Sequence, residues 1–401
     1  MIDLGLKRIS QLLQNQHRFP WDAIHGSVCA YISSVFHEAG IPCGRFTSPH
    51  LVDRWDCITL DGATVDKATF LAAEATVKAT DAELGIGASN FEILTATAFE
   101  IFSRAKVDVA VVEVGMGGRL DSTNVFTSPL VTVITKIAMD HMGFLGSTLE
   151  EIAQEKAGIM KKGAPSVVDG SNTESVLSVL RQKATNIGAG KLVVSKPKIL
   201  GNGSCEIETP AFGCQQFTSF LAGNHQPSNL SCAVNALSLA RERFPAITPA
   251  AVYKGVGLTR WPGRLETVNV SSIPDGHKSI LMDGAHNPEA ADALAEYVNL
   301  HLRVLGKETI AWVLAISKGK DVEVMLRSLL KHGDHVFAVA FGPVDGMPWV
   351  MPTNPLEIVE LAKAVVGDQG GTADAGSDVR EALSMACRRV GEGNVVVAGS
   401  L

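Results

Sequence analysis

The sequence predicts an α/β protein with mainly parallel sheets, arranged as two domains. Short β-branched runs end in glycine-rich loops, and segments with helical spacing follow them. At roughly 100–200 residues per domain, 401 residues point to two.

The start, Met1 to Leu13, has the spacing of an amphipathic helix and lacks the apolar core of a signal peptide. Val107–Val114 reads as a buried strand closed by Gly115, Gly117 and Gly118, because a strand covered on both faces needs a continuous apolar run. Leu130–Thr135 reads as a second strand, and Leu149–Met160 has helical spacing. Residues 191–222 mix short polar and apolar pieces with Gly, Pro and Thr, which predicts a small antiparallel patch. Ser228–Arg243 reads as a helix, and Trp261-Pro262-Gly263-Arg264 is a turn-rich break, so the domain boundary is expected near residue 266. The α/β rhythm then restarts. Ser279–Met282 is a strand, and Pro288–Leu305 is a helix with proline in its first turn. Thr309–Ile316, His335–Phe341 and Asn394–Ala398 are further strands.

Hydrophobic residues make up 46% and charged residues 19%, enough for a packed core and far from the composition of disorder. The net charge of −7 argues against a nucleic-acid binder, which needs a basic face. No run of ~20 apolar residues is present, so no membrane span is expected. The seven cysteines show no CxxC spacing, and an odd count of dispersed thiols suits a reducing compartment.

Five constellations carry candidate chemistry. Glu113 stands at the end of a buried strand before Gly115-Met116-Gly117-Gly118, where open α/β sheets collect ligands. It is either a ligand-binding carboxylate or one satisfied by a helix terminus. Asp140 and His141 follow the next strand. With Glu113, waters and phosphate oxygens, one of them could hold Mg2+, or the pair could cap the following segment. Lys156 ends a predicted helix, where a lysine ordinarily complements the helix dipole. Asp283-Gly284-Ala285-His286-Asn287-Pro288 joins a strand to a helix. It could read a ribose, an amino acid or a phosphate, or it could be turn chemistry plus an N-cap. Thr47-Ser48-Pro49-His50-Leu51 is, by itself, a turn.

The order of these segments is more specific than any one of them. TSPHL, FEILTATAF, EVGMGGRLDSTN, DHMGFLGSTLEEIAQEKAGIMKKG, GNHQPSN, WPGRLE and DGAHNP follow one another along nearly the whole chain. In this order they resemble the folylpolyglutamate synthase/dihydrofolate synthase family, a branch of the Mur-type ligases. The resemblance implies an N-terminal P-loop-type ATPase domain over 1–265, with a parallel sheet and a small antiparallel patch. It implies a C-terminal Rossmann-like glutamate ligase domain over 266–401. It also implies a reaction in which ATP phosphorylates a carboxylate of a pteroate or folate and the amine of L-glutamate attacks the acyl phosphate. Mg2+ bridges the phosphates in such chemistry.

Residue by residue, Glu113 and His141 match the family's magnesium ligands, with Ser27 as a metal- and nucleotide-contacting serine. Lys156 matches a lysine that is carbamylated in these enzymes. Arg264 matches an arginine that contacts ATP phosphate, and Asn229 and Asp283 match nucleotide-contacting residues. His286 lies at the nucleotide and amino-acid end. Ser48, Pro49 and His50 match the loop beside the folate pocket, and Phe91 and Glu92 lie in a segment that also borders it. TSPHLVDRWDCI looks more like the dihydrofolate synthase branch than the polyglutamate-extending one. The expected partners are small molecules (dihydropteroate or folate, L-glutamate and ATP) with no nucleic acid and no membrane. A cytoplasmic monomer is expected, with the mitochondrion as the other compartment.

The sequence departs from the family's pattern at two places. The family's phosphate-binding loop, read as VAGTNGKGS, faces Trp21-Asp22-Ala23-Ile24-His25-Gly26-Ser27-Val28-Cys29-Ala30-Tyr31 here, so the glycine-rich segment and its lysine are missing near 25–26. Asn394–Leu401 runs from a strand into Gly-Ser and stops, where the family has a final helix, so the C-terminal domain is expected to be truncated. Three function classes follow: the glutamate ligase, a catalytically impaired folate-binding homologue, and another Mur-type amino-acid ligase.

Overall fold

The computed structural model describes residues 26–139, 142–201, 203–218, 220–270, 278–304, 309–367, 371–376 and 378–399. The chain divides into two compact units, Met1–Leu221 with His225–Arg260, and Ala222–Asn224 with Trp261–Leu401.

In the first unit, α1 (Gly26–Glu38) leads into β1 (Cys43–Phe46), β2 (Ile58–Leu60) and β3 (Ala63–Thr64). Helices α2 (Lys67–Leu84) and α3 (Asn90–Ala105) precede β4 (Val109–Val112) and β5 (Thr132–Ile134). A short α4 (Met142–Leu145), α5 (Leu149–Lys156), β6 (Ser166–Asp169), α6 (Glu174–Ile187) and β7 (Leu192–Ser195) follow. The unit closes with β8 (Lys198–Gly201), β9 (Ser204–Thr209), β10 (Gly213–Phe217), α7 (Gln226–Ala240) and α8 (Pro249–Leu258).

The strands form β3-β2-β1-β4, with β1 and β4 parallel, and a parallel β5-β6-β7. The antiparallel patch is β10-β9-β8. The expected patch over 191–222 is therefore corrected at its start: β7 pairs in parallel with β6, because Leu192, Val193 and Val194 continue the apolar layer of that sheet.

Helix α1 is apolar almost all round, so it is buried rather than amphipathic. Val28, Tyr31, Ile32, Val35 and Phe36 are fully buried in one core with Val109 and Val111 of β4, Val133 of β5 and Val131 just before it. Among the described residues β4 and β5 each end a sheet, yet every residue of both is buried. Their carboxyl ends carry Glu113 and Thr135.

The second unit holds β11 (Glu266–Val270), β12 (Lys278–Asp283), α9 (Pro288–His301), β13 (Ile310–Ala315) and α10 (Val322–Leu329). It continues with β14 (His335–Ala338), α11 (Pro355–Val366), β15 (Thr372–Ala375), α12 (Val379–Val390) and β16 (Asn394–Gly399). Strand order is β11-β12-β16-β13-β14-β15, parallel except for β11. The last strand thus lies in the middle of the sheet, which explains its apolar run Val395-Val396-Val397. Strand β14 stops at Ala338, three residues short of the Phe341 expected from its apolar run.

The buried hub of this unit is Asp334, which has no exposed surface. Its carboxylate accepts from both terminal nitrogens of Arg303 at 2.7 and 2.5 Å, from Trp312 Nε1 at 3.0 Å, and from the N–H groups of Ile310 and Lys331 at 3.0 and 2.9 Å. Five donors on one carboxylate satisfy a charge that burial alone would penalise by several kcal/mol.

Candidate active site

Glu113 follows β4 directly, and its N–H donates to Phe46 O at 2.8 Å, which continues the β1–β4 ladder by one bond. Its Oε2 accepts the N–H of Ser48 at 2.9 Å. The TSPHL loop therefore sits against the acid at the sheet crest. Within it Thr47 and His50 are buried, Ser48 is half-buried, Pro49 is exposed, and the Ser48–Pro49 peptide is cis.

The glycine loop after Glu113 is folded around another carboxylate. Asp121 accepts from Met116 N at 2.8 Å, from Thr123 N at 3.0 Å and from Thr123 Oγ1 at 2.6 Å. Phe91 lies over Gly115, where a Cβ would stand 2.4 Å from the ring, so only glycine leaves room for that ring. Phe91 is thereby brought to the crest, with its ring 6.3 Å from that of Phe46. Glu92, its neighbour, spends its carboxylate on a capping box, accepting Ser89 N at 2.6 Å at the start of α3.

The same loop docks on the end of α5. Arg119 N donates to Glu155 O at 2.9 Å, and the Arg119 guanidinium forks onto the Glu155 carboxylate at 2.9–3.1 Å. A Cβ on Gly158 would stand 2.4 Å from Arg119 Cα, so the two backbones are in direct contact. This contact carries half-buried Lys156, the last residue of α5, to the flank of the glycine loop. His141 and Asp140 lie outside the described residues.

Ser27, on the first turn of α1, accepts from Gln226 Nε2 at 3.2 Å. Gln226 is buried, its Oε1 accepts from Tyr31 OH at 3.3 Å, and that hydroxyl accepts Leu221 N at 3.0 Å. Burial pushes the Tyr31 phenol well above its ordinary range, so it stays protonated and remains a donor. Asn229, one turn along α7, donates its N–H to His225 O at 3.2 Å. The starts of α1 and α7 are thus joined by Gln226, a residue of GNHQPSN to which the sequence alone gives no role. The sequence alone likewise gives Asp121 no role. A buried amide or carboxylate beside a glycine turn was the available signal.

In the second unit the WPGR turn is clipped to the DGAHN loop. Gly284 N donates to Gly263 O at 2.8 Å, and Leu265 N donates to Asp283 Oδ2 at 2.8 Å. Leu265 takes a left-handed φ of 45°, a strained conformation for a branched side chain, and these bonds hold it. Burial pushes the Asp283 carboxyl above its ordinary range, while the Leu265 N–H and the Arg264 charge pull the other way. Arg264 also donates to Gly263 O at 3.1 Å. His286 Nδ1 lies 2.8 Å from Gly284 O, a contact that puts the proton of the neutral ring on Nδ1. Asn287 is the N-cap of α9, accepting Ala290 N at 2.8 Å ahead of Pro288.

The Glu113 carboxylate beside Ser48 at the crest and the Ser27 hydroxyl on α1 are both oxygen donors. Such donors suit Mg2+, which takes one or two carboxylates and fills its shell with water and phosphate oxygens. All seven cysteines are free, and burial raises the thiols of Cys29, Cys43, Cys57 and Cys232, so none of these four is a reactive thiolate. Among the described residues no helix is long and apolar enough to cross a membrane.

Two family models match the chain: the Mur ligase middle domain over residues 72–237 and the dihydrofolate synthetase C-terminal domain over 266–401. A probable dihydrofolate synthetase of Schizosaccharomyces pombe is 41% identical, over 100% of this chain and 96% of that one. The dihydrofolate synthetase of Saccharomyces cerevisiae is 35% identical, over 90% and 86%. The chain belongs to the dihydrofolate synthetase/folylpolyglutamate synthase family. Its fold agrees with that membership. Folylpolyglutamate synthase of Mycobacterium tuberculosis complexed with ADP superposes with a TM-score of 0.77 at 27% identity, covering 100% of this chain and 93% of that one. E. coli FolC in complex with DHPP and ADP superposes with 0.77 at 25% identity, covering 100% and 89%. The family ligates glutamate in an ATP-dependent reaction of folate metabolism, on small-molecule substrates.

Proposed function

We propose that this chain joins L-glutamate to dihydropteroate, with reduced folates as the alternative acceptor, using ATP. The observation that carries this reading is the contact of the TSPHL loop with Glu113, in a chain whose first-named relatives are dihydrofolate synthetases. A loop of substrate-bordering residues hydrogen-bonded to a crest carboxylate suits a reaction in which an acceptor carboxylate and phosphate oxygens meet at one place.

In this reading residues 1–265 act as the ATPase domain and 266–401 as the glutamate ligase domain. The γ-phosphoryl group passes to the acceptor carboxylate, the glutamate amine attacks the acyl carbon, and phosphate leaves. Glu113, His141 and Ser27 would hold Mg2+, which supplies charge neutralisation on phosphate oxygens when bound. Arg264 offers a second cation for phosphate, and Asn229 and Asp283 contact the nucleotide. His286, its proton on Nδ1, presents Nε2 as an acceptor at the glutamate end. Lys156, carbamylated, would add a carboxylate-like group to the metal site. Ser48, Pro49, His50, Phe91 and Glu92 border the acceptor pocket, with Phe91 supplying an aromatic face and Glu92 holding the helix start beneath it. The chain works on small molecules as a cytoplasmic monomer.

A second reading is favoured by one observation: Trp21–Tyr31 contains no lysine and no glycine-rich loop where the family's phosphate loop is expected. In that reading the chain binds the pteroate or folate and turns over slowly or not at all. Loss of a phosphate cation and its cradle lowers rates by orders of magnitude. Calorimetry with dihydropteroate and ADP, and a ligation assay on the chain and on a version carrying VAGTNGKGS, separate the two. Product from both chains supports the first reading. Pteroate binding without ADP binding, with product only from the restored chain, supports the second. Silence of the restored chain rejects the ligase.

A further inference from the structure

The loop between β1 and β2 is held by two carboxylates, one at each end. At its neck Thr47 N donates to Cys57 O at 2.9 Å and Ser48 N donates to Glu113 Oε2 at 2.9 Å. At its far end three successive N–H groups converge on Asp56. Leu51 N donates to Oδ1 at 3.0 Å, Val52 N to Oδ2 at 2.7 Å and Asp53 N to Oδ2 at 3.0 Å. The Asp53 bond is half of a capping box on the 3-10 turn Arg54–Cys57. The other two exceed what a capping box requires. They come from the stretch that continues directly from His50, and successive N–H groups on one anion make a concave, rigid backbone nest.

We propose that Asp56 is the positioning residue of the Ser48–Val52 loop, anchoring the end away from Glu113 so that His50 and the crest acid keep one fixed spacing. The inference rests on the reading that Ser48–His50 border the acceptor pocket. The turn that carries Asp56 is braced separately. Arg54 pairs with Glu74 and stands 5.1 Å over the Phe70 ring, and Lys78 meets Glu74 at 3.0 Å. Removing the Asp56 carboxylate therefore frees the amides of Leu51, Val52 and Asp53, while the Arg54 contacts with Glu74 and Phe70 keep the turn docked. Ordering the freed loop then costs binding free energy each time the acceptor enters.

The test compares the full chain with Asp56→Ala, Asp56→Asn and Glu74→Gln. The readouts are the dihydropteroate Kd by calorimetry and amide exchange at residues 51–53 and 109–112. Asp56→Ala is expected to weaken dihydropteroate binding at least about tenfold. It should speed exchange at 51 and 52 and leave β4 protected. Asp56→Asn keeps an acceptor oxygen and should fall between Asp56→Ala and the parent. Glu74→Gln removes the charge from the brace, leaves the nest intact, and should bind as the parent does. Should Asp56→Ala not fold, Asp56→Asn carries the comparison. Parental affinity in both Asp56 variants, or an equal loss in Glu74→Gln, overturns the inference alone. A parent that binds neither dihydropteroate nor a reduced folate overturns the acceptor-site reading and the inference with it.

Discussion

The backbone N–H of Ser48 and the Oε2 of Glu113 meet at 2.9 Å across 65 residues of sequence. The contact ties the loop after β1 to the end of β4. Glu113→Gln keeps an oxygen for Ser48 and loses the negative charge. The glutamate-ligation rate is expected to fall roughly 100- to 1000-fold, with a raised Mg2+ requirement, while the thermal midpoint stays close to that of the parent. Initial rates across a Mg2+ titration check it.

Gly115 has no room for a side chain, since a Cβ would stand 2.4 Å from Phe91 Cζ. Gly115→Ala is expected to destabilise the fold by ~1–3 kcal/mol through overpacking. Adding Phe91→Ala should recover part of that loss, and a denaturant-melt double-mutant cycle measures the coupling.

Asp283 is buried, and burial raises its carboxyl above the unfolded value despite the Leu265 N–H and Arg264. A carboxyl raised on folding contributes stability at pH below its unfolded value and loses it as pH climbs through the folded value. Asp283→Asn still accepts the Leu265 N–H without a charge. Its thermal midpoint should exceed the parent's at neutral pH, and the gap should shrink as the buffer is made acidic. Nucleotide affinity should drop in the same variant. Thermal melts at a series of pH values, paired with ADP calorimetry, report both.

Asp334 gathers Arg303, Trp312, Ile310 and Lys331 with no exposed surface of its own. Asp334→Ala leaves a buried guanidinium and three further donors without their acceptor. A loss of ~3–5 kcal/mol is expected in the unfolding of the second unit. Hydrogen exchange on β13 and β14 localises the loss.

How much of this was legible follows the physics of each element. Strands β4 and β5 were read because fully covered strands must be continuous β-branched runs. Strand β1 was not, since Cys43-Gly44-Arg45-Phe46 is short and carries a glycine and an arginine. The parallel pairing of β7 was missed because three half-buried apolar residues look the same in either kind of sheet. Glu113, Lys156, Asp283 and His286 were visible as side chains at strand and helix ends. Asp56, Asp121 and Gln226 were not, because their roles lie in backbone N–H groups and a buried hydroxyl that only folding brings to them. Glu92 was read as a pocket residue, and its carboxylate also closes a capping box, a role that Ser89 three residues earlier had signalled.

The most direct measurement incubates the purified chain with dihydropteroate, labelled L-glutamate, ATP and Mg2+, and follows dihydrofolate, ADP and phosphate together. A ligase yields the three in equal amounts, each dependent on all four additions, and the yield collapses in Glu113→Gln. Absence of labelled product with dihydropteroate and with reduced folates alike, from the chain and from its loop-restored version, would contradict the account.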